Sequence, residues 1–302
     1  MTLTVLVPDD EGVAALSESP MVHAVRYQWG DPVPPEAEKA EVLIPGRHPA
    51  GDELWRELPN LKLVQLLSAG AEEWVGKLPD GVLLSTGRGA HGGSTAEWVV
   101  AVLLSIYRKL DVFATAQRER HWEWLPSETL QGQHALIIGA GDLGRQLRRR
   151  LEPFDVRCTM VGVSARDGVH GVAELPELLP QHDIVVLMVP LTSRSRGMVD
   201  AQFLAAMRDG AVLVNAARGP VVRTDALLAE LSAGRLRAAL DVTDPEPLPA
   251  EHPLWTVPGL LITPHVGGVV SGVLRRAYAV AAAEIARYAG GDLPDNLVHD
   301  EY

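Results

Sequence analysis

Three residues in the second half of the chain carry side chains that could clamp an acidic substrate and move a proton: Arg218, Glu246 and His265. A guanidinium pairs with a carboxylate, and an imidazole oriented by a carboxylate can give or take a proton. Each residue follows a short apolar run that is typical of a parallel strand. Because ligands bind at the carboxyl ends of strands in an open α/β sheet, we expect the three groups to converge there, beside a bound dinucleotide that carries a hydride.

The size and composition of the chain indicate a globular protein of two domains. Its 302 residues exceed one typical domain, with 47% hydrophobic and 22% charged residues. No apolar run approaches the length of a membrane span, and the N-terminal residues lack the basic segment of a signal peptide. The single cysteine, Cys158, excludes an internal disulfide framework, so we expect it to be a core residue of a cytoplasmic protein.

The charge of the chain argues against some classes of partner. With a net charge of −12 and no basic patch, nucleic acid is not an expected partner. The arginines between positions 145 and 150 fall on one short predicted helix and are expected to form a solvated face. No cluster of His, Cys or Asp has metal-ligand spacing, so no metal is expected. Overall negative charge does not attract an anionic substrate, so the site itself must supply local positive charge. An arginine in the site is therefore stronger evidence for an acidic substrate.

Residues 1–94 alternate short β-like runs with polar, proline-rich turns, and the spacing predicts a small parallel α/β layer. A long helix follows, with Ser94–Glu97 as its capping box and an apolar surface nearly all round. Residues 111–131 then form a polar arm with Trp122 and Trp124, which would mark either a subunit contact or a fold back onto the same chain. The predicted strands of this layer are Thr4–Val7, Ala24–Gln28, Glu41–Ile44, Leu63–Leu67 and Val82–Ser85.

From residue 134 onward the pattern predicts a regular β-α-β series, a doubly wound parallel sheet buried on both faces. Within it, Thr224 is the expected N-cap of a helix that Gly234 ends. A last helix, at about 271–289, leads to a tail that should pack back on the first domain, so that a ligand cleft lies between two domains. The predicted strands are Ala135–Ile138, Arg157–Val163, Ile184–Val189, Ala211–Val214, Arg237–Leu240 and Leu260–Ile262.

The turn Gly139-x-Gly141-x-x-Gly144 lies between a predicted strand and a predicted helix, the context of a dinucleotide-binding turn. Gly139 permits the tight turn, Gly141 lets the backbone approach the pyrophosphate, and Gly144 permits close packing of helix on sheet. Asp142 and Leu143 complete the turn at the helix N-terminus, which favours an anion. The alternative is a glycine turn that serves packing alone.

The end of the second strand of this domain predicts the type of dinucleotide. A carboxylate about twenty residues after the glycines would bind the ribose 2′-hydroxyl of NAD. Here Ser164 stands at that position and Arg166 follows, two groups that can bind a 2′-phosphate. We therefore expect NADP(H) to be preferred and NAD(H) to be possible, unless the two residues merely form a surface turn.

Six segments resemble those of the D-isomer-specific 2-hydroxyacid dehydrogenases, and the similarity spans Leu61 to Gly268. Within that family the chain is most similar to glyoxylate/hydroxypyruvate reductases, because of the Ser164-x-Arg166 turn. The resemblance implies a Rossmann domain of residues 99–268 and a smaller flavodoxin-like α/β substrate domain of residues 1–98 and 269–302. The segments are Leu67–Gly70, Thr95–Glu97, Val189–Thr192, Val214–Gly219, Ala239–Leu248 and Thr263–Gly268.

The resemblance also implies roles for the candidate residues. Arg218 would bind the substrate carboxylate and polarise the carbonyl, and His265 would give a proton to the forming alkoxide. Glu246 would orient the imidazole and favour its protonated form, and Asp241 would bind the nicotinamide carboxamide. Taken alone, Arg218 could be an arginine that caps a strand end, Glu246 a solvated turn acid and His265 a structural histidine. Further expected cofactor contacts are Val189, Pro190, Ser195, Ala216, Ala217 and Gly267, and further substrate contacts are the backbone amides of Ser68, Ala69 and Gly70.

Three functions stay open at this point. The first is NAD(P)H-dependent reduction of a small 2-oxo acid to a D-2-hydroxy acid by a cytoplasmic homodimer. The second is a phosphite-type dehydrogenase of the same fold, whereas formate dehydrogenases place glutamine at the position of Glu246 and are disfavoured. The third is a dinucleotide-sensing binding protein. The sequence does not identify the 2-oxo acid, and Trp29, Trp55 and Trp74 are the candidates for a bulky wall of the pocket.

Overall fold

The computed structural model describes residues 2–28, 31–46 and 53–298, and the chain divides into two compact units. The first unit comprises Met1–His91 and Ser271–Tyr302, and the second comprises Gly92–Val270. The predicted boundary after residue 98 would cut the helix Gly92–Tyr107, which lies whole in the second unit. Trp29 lies outside the described residues.

The first unit contains a five-stranded parallel sheet in the order β2-β1-β3-β4-β5, which is the strand order of flavodoxin-like folds. Two helices of this unit, α1 (Asp10–Leu16) and α8 (Val273–Ala289), pack against each other. All five predicted strands are present, and their ends differ from the prediction by two residues or fewer. The strands are β1 (Leu3–Val7), β2 (Val22–Arg26), β3 (Val42–Leu43), β4 (Leu63–Gln65) and β5 (Leu83–Ser85).

A buried tyrosine fixes α8 in the first unit. The Tyr278 hydroxyl donates to Asp9 Oδ2 at 2.9 Å, and Asp9 Oδ1 accepts from the Gly12 amide at 2.8 Å as the cap of α1. A Cβ on Gly12 would lie 2.8 Å from the Tyr278 ring, so glycine is what allows this close approach. Beyond α8 the chain pairs with β5 through an antiparallel bridge between Ser85 and Leu297.

The second unit contains a seven-stranded parallel sheet in the order β12-β11-β10-β9-β6-β7-β8. Read from the β8 edge, this is the doubly wound order 3-2-1-4-5-6 with one added strand, which confirms the predicted Rossmann class. The six predicted strands are present, and only the two-residue β8 was missed. The strands are β6 (His134–Ile138), β7 (Arg157–Gly162), β8 (His170–Gly171), β9 (Ile184–Leu187), β10 (Val212–Asn215), β11 (Arg237–Leu240) and β12 (Leu260–Ile262).

The helices of the second unit correct three details of the prediction. The long helix begins at Gly92, so Ser94 lies inside it and does not cap it. Thr224 is the first helical residue rather than the N-cap, and its hydroxyl donates to the Asp244 carbonyl at 2.7 Å. The polar arm begins with a helix that was not predicted, and its extended part follows Arg118. The helices are α2 (Gly92–Tyr107), α3 (Leu110–Arg118), α4 (Asp142–Leu151), α5 (Leu175–Leu178), α6 (Ala201–Ala206) and α7 (Thr224–Ser232).

Apolar side chains cover both faces of the second sheet. Every residue of β9 and of β10 is buried, as a parallel sheet between two helical layers requires. One hydrophobic cluster joins the sheet to α6 and α7, and another joins it to α2 and α4. Within the described ranges, the helices are too short or too polar to cross a membrane.

Candidate active site

The carboxyl ends of three adjacent strands place the predicted catalytic loops at one edge of the second sheet. Asn215 pairs with Leu240 in register, and Leu240 pairs with Ile262. The ladder continues one step beyond the strands, because the Asp241 amide donates to the Asn215 carbonyl at 3.1 Å and the Thr263 amide to the Leu240 carbonyl at 2.9 Å. The loops that carry Arg218, Glu246 and His265 therefore all start at this edge.

His265 and Glu246 form a direct pair. Nδ1 of His265 lies 2.8 Å from Oε1 of Glu246, and both side chains are partly exposed, at 48% and 41%. His265 has φ of +55°, a left-handed conformation that costs a non-glycine residue about 1–3 kcal/mol. Its amide donates to the Asp241 carbonyl at 2.7 Å, so hydrogen bonding offsets part of that cost. The pairing occupies Nδ1, so Nε2 is the ring nitrogen left for a further hydrogen bond.

Asp241 is buried, with 4% exposure, and its carboxylate holds the turn around His265. Oδ1 accepts from the Thr263 hydroxyl at 2.6 Å and from the Val266 amide at 2.9 Å. Oδ2 accepts from the Gly267 amide at 2.8 Å. A carboxylate offers about four acceptor positions, so one position on Oδ2 is left for a further donor. The predicted contact with a carboxamide thus has an available acceptor.

Gly267 fits tightly between Asp241 and a tryptophan of α2. A Cβ on Gly267 would lie 2.8 Å from Asp241 Oδ2 and 3.4 Å from Cγ of Trp98. The first of these distances is too short for a real side chain, so a glycine is needed here for close approach. The prediction did not assign Trp98, because its position in the helix sequence carries no sign of this contact.

The loop with Arg218 is held by the last residue of β10. Asn215 is buried, its Nδ2 donates to the Arg218 carbonyl at 3.0 Å, and its Oδ1 accepts from the Ala217 amide at 3.0 Å. Arg218 Nη1 donates to the Ala217 carbonyl at 2.7 Å, and the residue is partly buried. A Cβ on Gly219 would overlap the Thr243 carbonyl, so the loop passes directly against the one that leads to Glu246.

The three glycines of the predicted dinucleotide turn differ in what a side chain would meet. At Gly139, with φ of +123°, a Cβ would overlap the Met188 carbonyl, and at Gly144 it would overlap the Gly139 carbonyl. At Gly141 a Cβ would meet no atom within 4 Å. The protein therefore needs glycine at 139 and 144 for its own packing, whereas the space above Gly141 is open at the N-terminus of α4. That open cradle fits a pyrophosphate, which a helix N-terminus attracts.

The other predicted cofactor residues lie at the same edge but point in different directions. The Asp142 carboxylate faces Gly92 of α2, so only its backbone amide is left to bind an anion at this turn. The Leu143 side chain packs against the α2–α4 core. Ser195 is buried, and its hydroxyl donates to the Pro190 carbonyl at 2.6 Å. Val189 packs on the core below, while Ala216 and Ala217 are buried in the loop after β10.

The turn after β7 is exposed. Ser164 and Arg166 are both exposed, and the Arg166 and Val169 backbones exchange two hydrogen bonds of 2.9 Å. The guanidinium lies over the end of β7, with Nη1 2.9 Å from where a Cβ on Gly162 would be. Position 164 holds a serine where an NAD-binding strand would carry an acid. The end of this strand therefore offers hydrogen-bond donors to a ribose or its phosphate.

Ser68, Ala69 and Gly70 belong to the first unit and follow β4. The Ser68 hydroxyl donates to the Gly70 carbonyl at 2.7 Å, and the Ser68 carbonyl accepts from the Gly87 amide at 2.7 Å. The segment is thus a closed turn, in which Ser68 is exposed and Ala69 and Gly70 are partly exposed. Its contact with substrate stays a prediction.

A separate cavity and the absence of a metal-ligand cluster among the described residues complete the description of the second unit. A cavity of about 730 Å³ lies at the opposite, amino edge of the second sheet, beside Tyr107 and Arg237, and is separate from the catalytic edge. In the part of the chain that the structure describes, no group of three or more His, Cys, Asp or Glu side chains could hold a metal ion.

Comparisons with known proteins agree with this geometry. Residues 100–267 match the family model described as "D-isomer specific 2-hydroxyacid dehydrogenase, NAD binding domain". The chain is 31% identical to a glyoxylate reductase/hydroxypyruvate reductase of Homo sapiens, over 95% of this chain and 94% of that protein.

Two crystal structures are similar over almost the full length. A D-isomer specific 2-hydroxyacid dehydrogenase of Xanthobacter autotrophicus in complex with NADPH and MES has a TM-score of 0.85 and 31% identity, covering 99% of this chain and 98% of that one. An NADPH-dependent glyoxylate/hydroxypyruvate reductase of Sinorhizobium meliloti with NADP and sulfate has a TM-score of 0.83 and 25% identity, covering 99% of each chain.

Proposed function

This chain belongs to the D-isomer specific 2-hydroxyacid dehydrogenase family, and we propose that it reduces a small 2-oxo acid, of the glyoxylate or hydroxypyruvate kind, to the D-2-hydroxy acid with NADPH. One observation supports this proposal above the others: His265 Nδ1 lies 2.8 Å from Glu246 Oε1 at the sheet edge where the loop of Arg218 also begins. An imidazole, its carboxylate partner and a guanidinium are the groups that the reaction needs.

His265 is the proposed general acid. Its Nδ1 is held by Glu246, so Nε2 faces the substrate and donates a proton to the carbonyl oxygen as that oxygen becomes an alkoxide. After the transfer the neutral ring keeps the Nδ1 proton in its hydrogen bond to Glu246. In the oxidative direction the same nitrogen takes the proton back. Glu246 therefore sets both the tautomer and the orientation of the imidazole.

Arg218 is the proposed substrate clamp. Its planar guanidinium can donate to the substrate carboxylate and to the carbonyl oxygen together, which orients the substrate and stabilises charge on the oxygen. The loop backbone on which it sits is fixed by the buried Asn215 side chain. A lysine at this position would keep the charge and lose the fork of donors.

NADPH is the proposed cofactor, and when bound it supplies the hydride that adds to the carbonyl carbon. The open cradle at Gly141 would hold the pyrophosphate, and Asp241 would offer its free acceptor position to the carboxamide. Ser164 and Arg166 offer donors to the 2′-phosphate where an NAD enzyme would place an acid. The similar enzymes of X. autotrophicus and S. meliloti were solved with NADPH and NADP.

We further propose a homodimer in the cytoplasm. Trp122 and Trp124 lie on the extended arm after α3 and are 93% and 80% exposed, which favours contact with a second copy over a fold back onto the same chain. Light scattering on a size-exclusion column should give twice the mass of the chain. A monomer at micromolar concentration would contradict the dimer.

The cytoplasmic location is proposed because a chain with one cysteine needs no oxidising compartment.

The experiment that tests the function is a panel of 2-oxo acids assayed with NADPH and with NADH, with chiral analysis of the product. We expect turnover with glyoxylate or hydroxypyruvate, a D product from the latter, and lower KM for NADPH than for NADH. His265→Ala should lower kcat roughly 10²–10⁴-fold, the usual contribution of a general acid. The exposed His23 of β2 provides the control, since His23→Ala should leave kcat unchanged.

Two other outcomes would replace the proposal. Oxidation of phosphite with NADP⁺ in the absence of 2-oxo acid turnover would indicate the phosphite-type dehydrogenase. Tight NADPH binding without turnover of any substrate in the panel would indicate a dinucleotide-sensing protein.

A further inference from the structure

Thr263 lies between β12 and the turn of His265, and its side chain forms a hydrogen bond within the protein. Its hydroxyl donates to Asp241 Oδ1 at 2.6 Å. Asp241 in turn accepts from the amides of Val266 and Gly267, the two residues that follow His265. The Asp241 carboxylate therefore binds residues on both sides of His265. The Thr263 hydroxyl precedes His265 in the chain, and the two amides follow it.

The hydrogen bond from Thr263 fixes the rotation of the Asp241 carboxylate. With the hydroxyl and the Val266 amide both on Oδ1, the carboxylate plane is set so that Oδ2 meets the Gly267 amide. Without the hydroxyl, the carboxylate keeps two side-chain contacts, and both come from amides that follow His265. Nothing from the strand side would then hold its orientation except its own Cα–Cβ bond.

The conformation of His265 depends on this carboxylate. A left-handed φ of +55° is rarely adopted by a residue with a side chain, so the surrounding hydrogen bonds must select it. The backbone of Asp241 accepts from the His265 amide at 2.7 Å, while its carboxylate holds the next two amides. A rotation of the carboxylate would break its hydrogen bonds to those two amides. The direction in which the imidazole leaves the backbone would then no longer be fixed.

We propose that Thr263 is a positioning residue for His265: through the buried carboxylate of Asp241 it fixes the left-handed turn that brings the imidazole to Glu246 and to the substrate. This inference rests on the proposed function for its effect on rate, but its structural content does not. Thr263 acts through Asp241, whose carboxylate would have this second task besides offering one acceptor position to the carboxamide.

The test compares Thr263→Val, which keeps the shape and removes the donor, with Thr263→Ser, which keeps the donor. We expect Thr263→Val to lower kcat roughly tenfold, the factor that corresponds to one lost hydrogen bond to a charged group. KM for the 2-oxo acid should change less than about twofold, because Thr263 is not one of the groups proposed to bind the substrate. Thr263→Ser should restore kcat, and Thr256→Val, at an exposed threonine of the same unit, should not alter it.

Crystal structures of the wild-type protein and of Thr263→Val provide a second readout that needs no activity. We expect His265 to leave the left-handed region or its Nδ1 to lose the hydrogen bond to Glu246 in the variant. If Thr263→Val does not fold, Thr263→Ala replaces it in both measurements.

The outcomes separate this inference from the proposed function. An unchanged His265 geometry, an unchanged kcat in Thr263→Val, or an equal loss in Thr263→Ser would each overturn the inference. A wild-type protein that turns over no 2-oxo acid would overturn the proposed function, and the crystal structures alone would then decide the role of Thr263.

Discussion

The open space above Gly141 leads to a prediction in which stability and cofactor binding change in opposite directions. Gly141 has φ of −80°, which any residue adopts, and a Cβ there meets no protein atom within 4 Å. Gly141→Ala should therefore not destabilise the ligand-free protein. Because alanine restricts the unfolded chain, the variant should gain up to about 1 kcal/mol of unfolding free energy. For a domain of about 150–250 residues, this corresponds to a rise in Tm of roughly 2–4 °C.

The same methyl group should weaken NADPH binding. It would occupy the space through which the pyrophosphate approaches the backbone amides at the start of α4. Displacement of the phosphate by the width of a methyl group removes at least one hydrogen bond to a charged oxygen, worth about 1.5–3 kcal/mol. Kd for NADPH should rise roughly tenfold to a hundredfold. Isothermal titration calorimetry of the ligand-free protein and a thermal melt of the same sample measure both quantities.

Gly139→Ala is the contrasting variant. Gly139 has φ of +123°, and its Cβ would overlap the Met188 carbonyl, so this variant should have a lower Tm even without nucleotide. Gly290→Ala, in the first unit, serves as the control for binding, since it should leave Kd unchanged. An unchanged Kd in Gly141→Ala would mean that the pyrophosphate does not lie above Gly141, and the assignment of this turn would be wrong. A lower Tm in Gly141→Ala would show that the space is not open.

Three more predictions concern single side chains. Arg218→Lys should lower kcat/KM roughly a hundredfold in the reductase assay, because a point charge cannot form the two-pronged contact, and near wild-type activity would exclude Arg218 as the clamp. Arg166→Ala should raise KM for NADPH roughly tenfold while KM for NADH stays within about twofold; an equal effect on both would refute the cofactor preference. Burial, together with neighbouring His134, lowers the pKa of His182 below its ordinary 6.5 despite the opposing contributions of the Leu178 carbonyl and Asp183. The unfolded state then binds more protons, so thermal melts should show stability lost as pH falls below about 6.5, and His182→Gln should lose less over that range.

The regular elements could be predicted from the sequence because their signal is local. Most strands of the second sheet are largely apolar runs, and in β6 and β9 the run is long enough to detect. The strand β8 has two residues, too few for any periodicity, and it pairs only with Val161 and Gly162 of β7. The helix α3 was missed because it buries a single residue, Ala116, and exposes Leu110 and Val112, so it lacks the buried apolar face that marks a helix in a sequence.

The placement of the proposed catalytic residues at one edge of the sheet could also be predicted, but for a topological reason. In a parallel sheet, a residue just after one strand lies near the residues just after the neighbouring strands, whatever their distance along the chain. This rule brings His265 to the same edge as Arg218 without any knowledge of the loops. The partners that hold these residues could not be predicted in the same way, because the hydrogen bonds of Asn215 and Thr263 depend on where the loop backbone passes. The start of α2 failed for a related reason: a capping-box pattern at Ser94 is outweighed by the packing of Gly92 on α4.

The three strand ends share one solution to a physical problem. Where a parallel ladder stops, the loop amides that follow are partly buried and need acceptors. In β10, β11 and β12 the position at or just after the last strand residue holds a polar side chain: Asn215, Asp241 and Thr263. Asn215 binds the loop of Arg218, while Asp241 and Thr263 bind the turn of His265. The side chains that satisfy the backbone at this edge therefore also hold the backbone that carries the proposed reacting groups, Arg218 and His265. It follows that substitutions at these three positions should lower both the free energy of unfolding and kcat, whereas substitutions of the exposed His265 and Glu246 side chains should lower kcat alone.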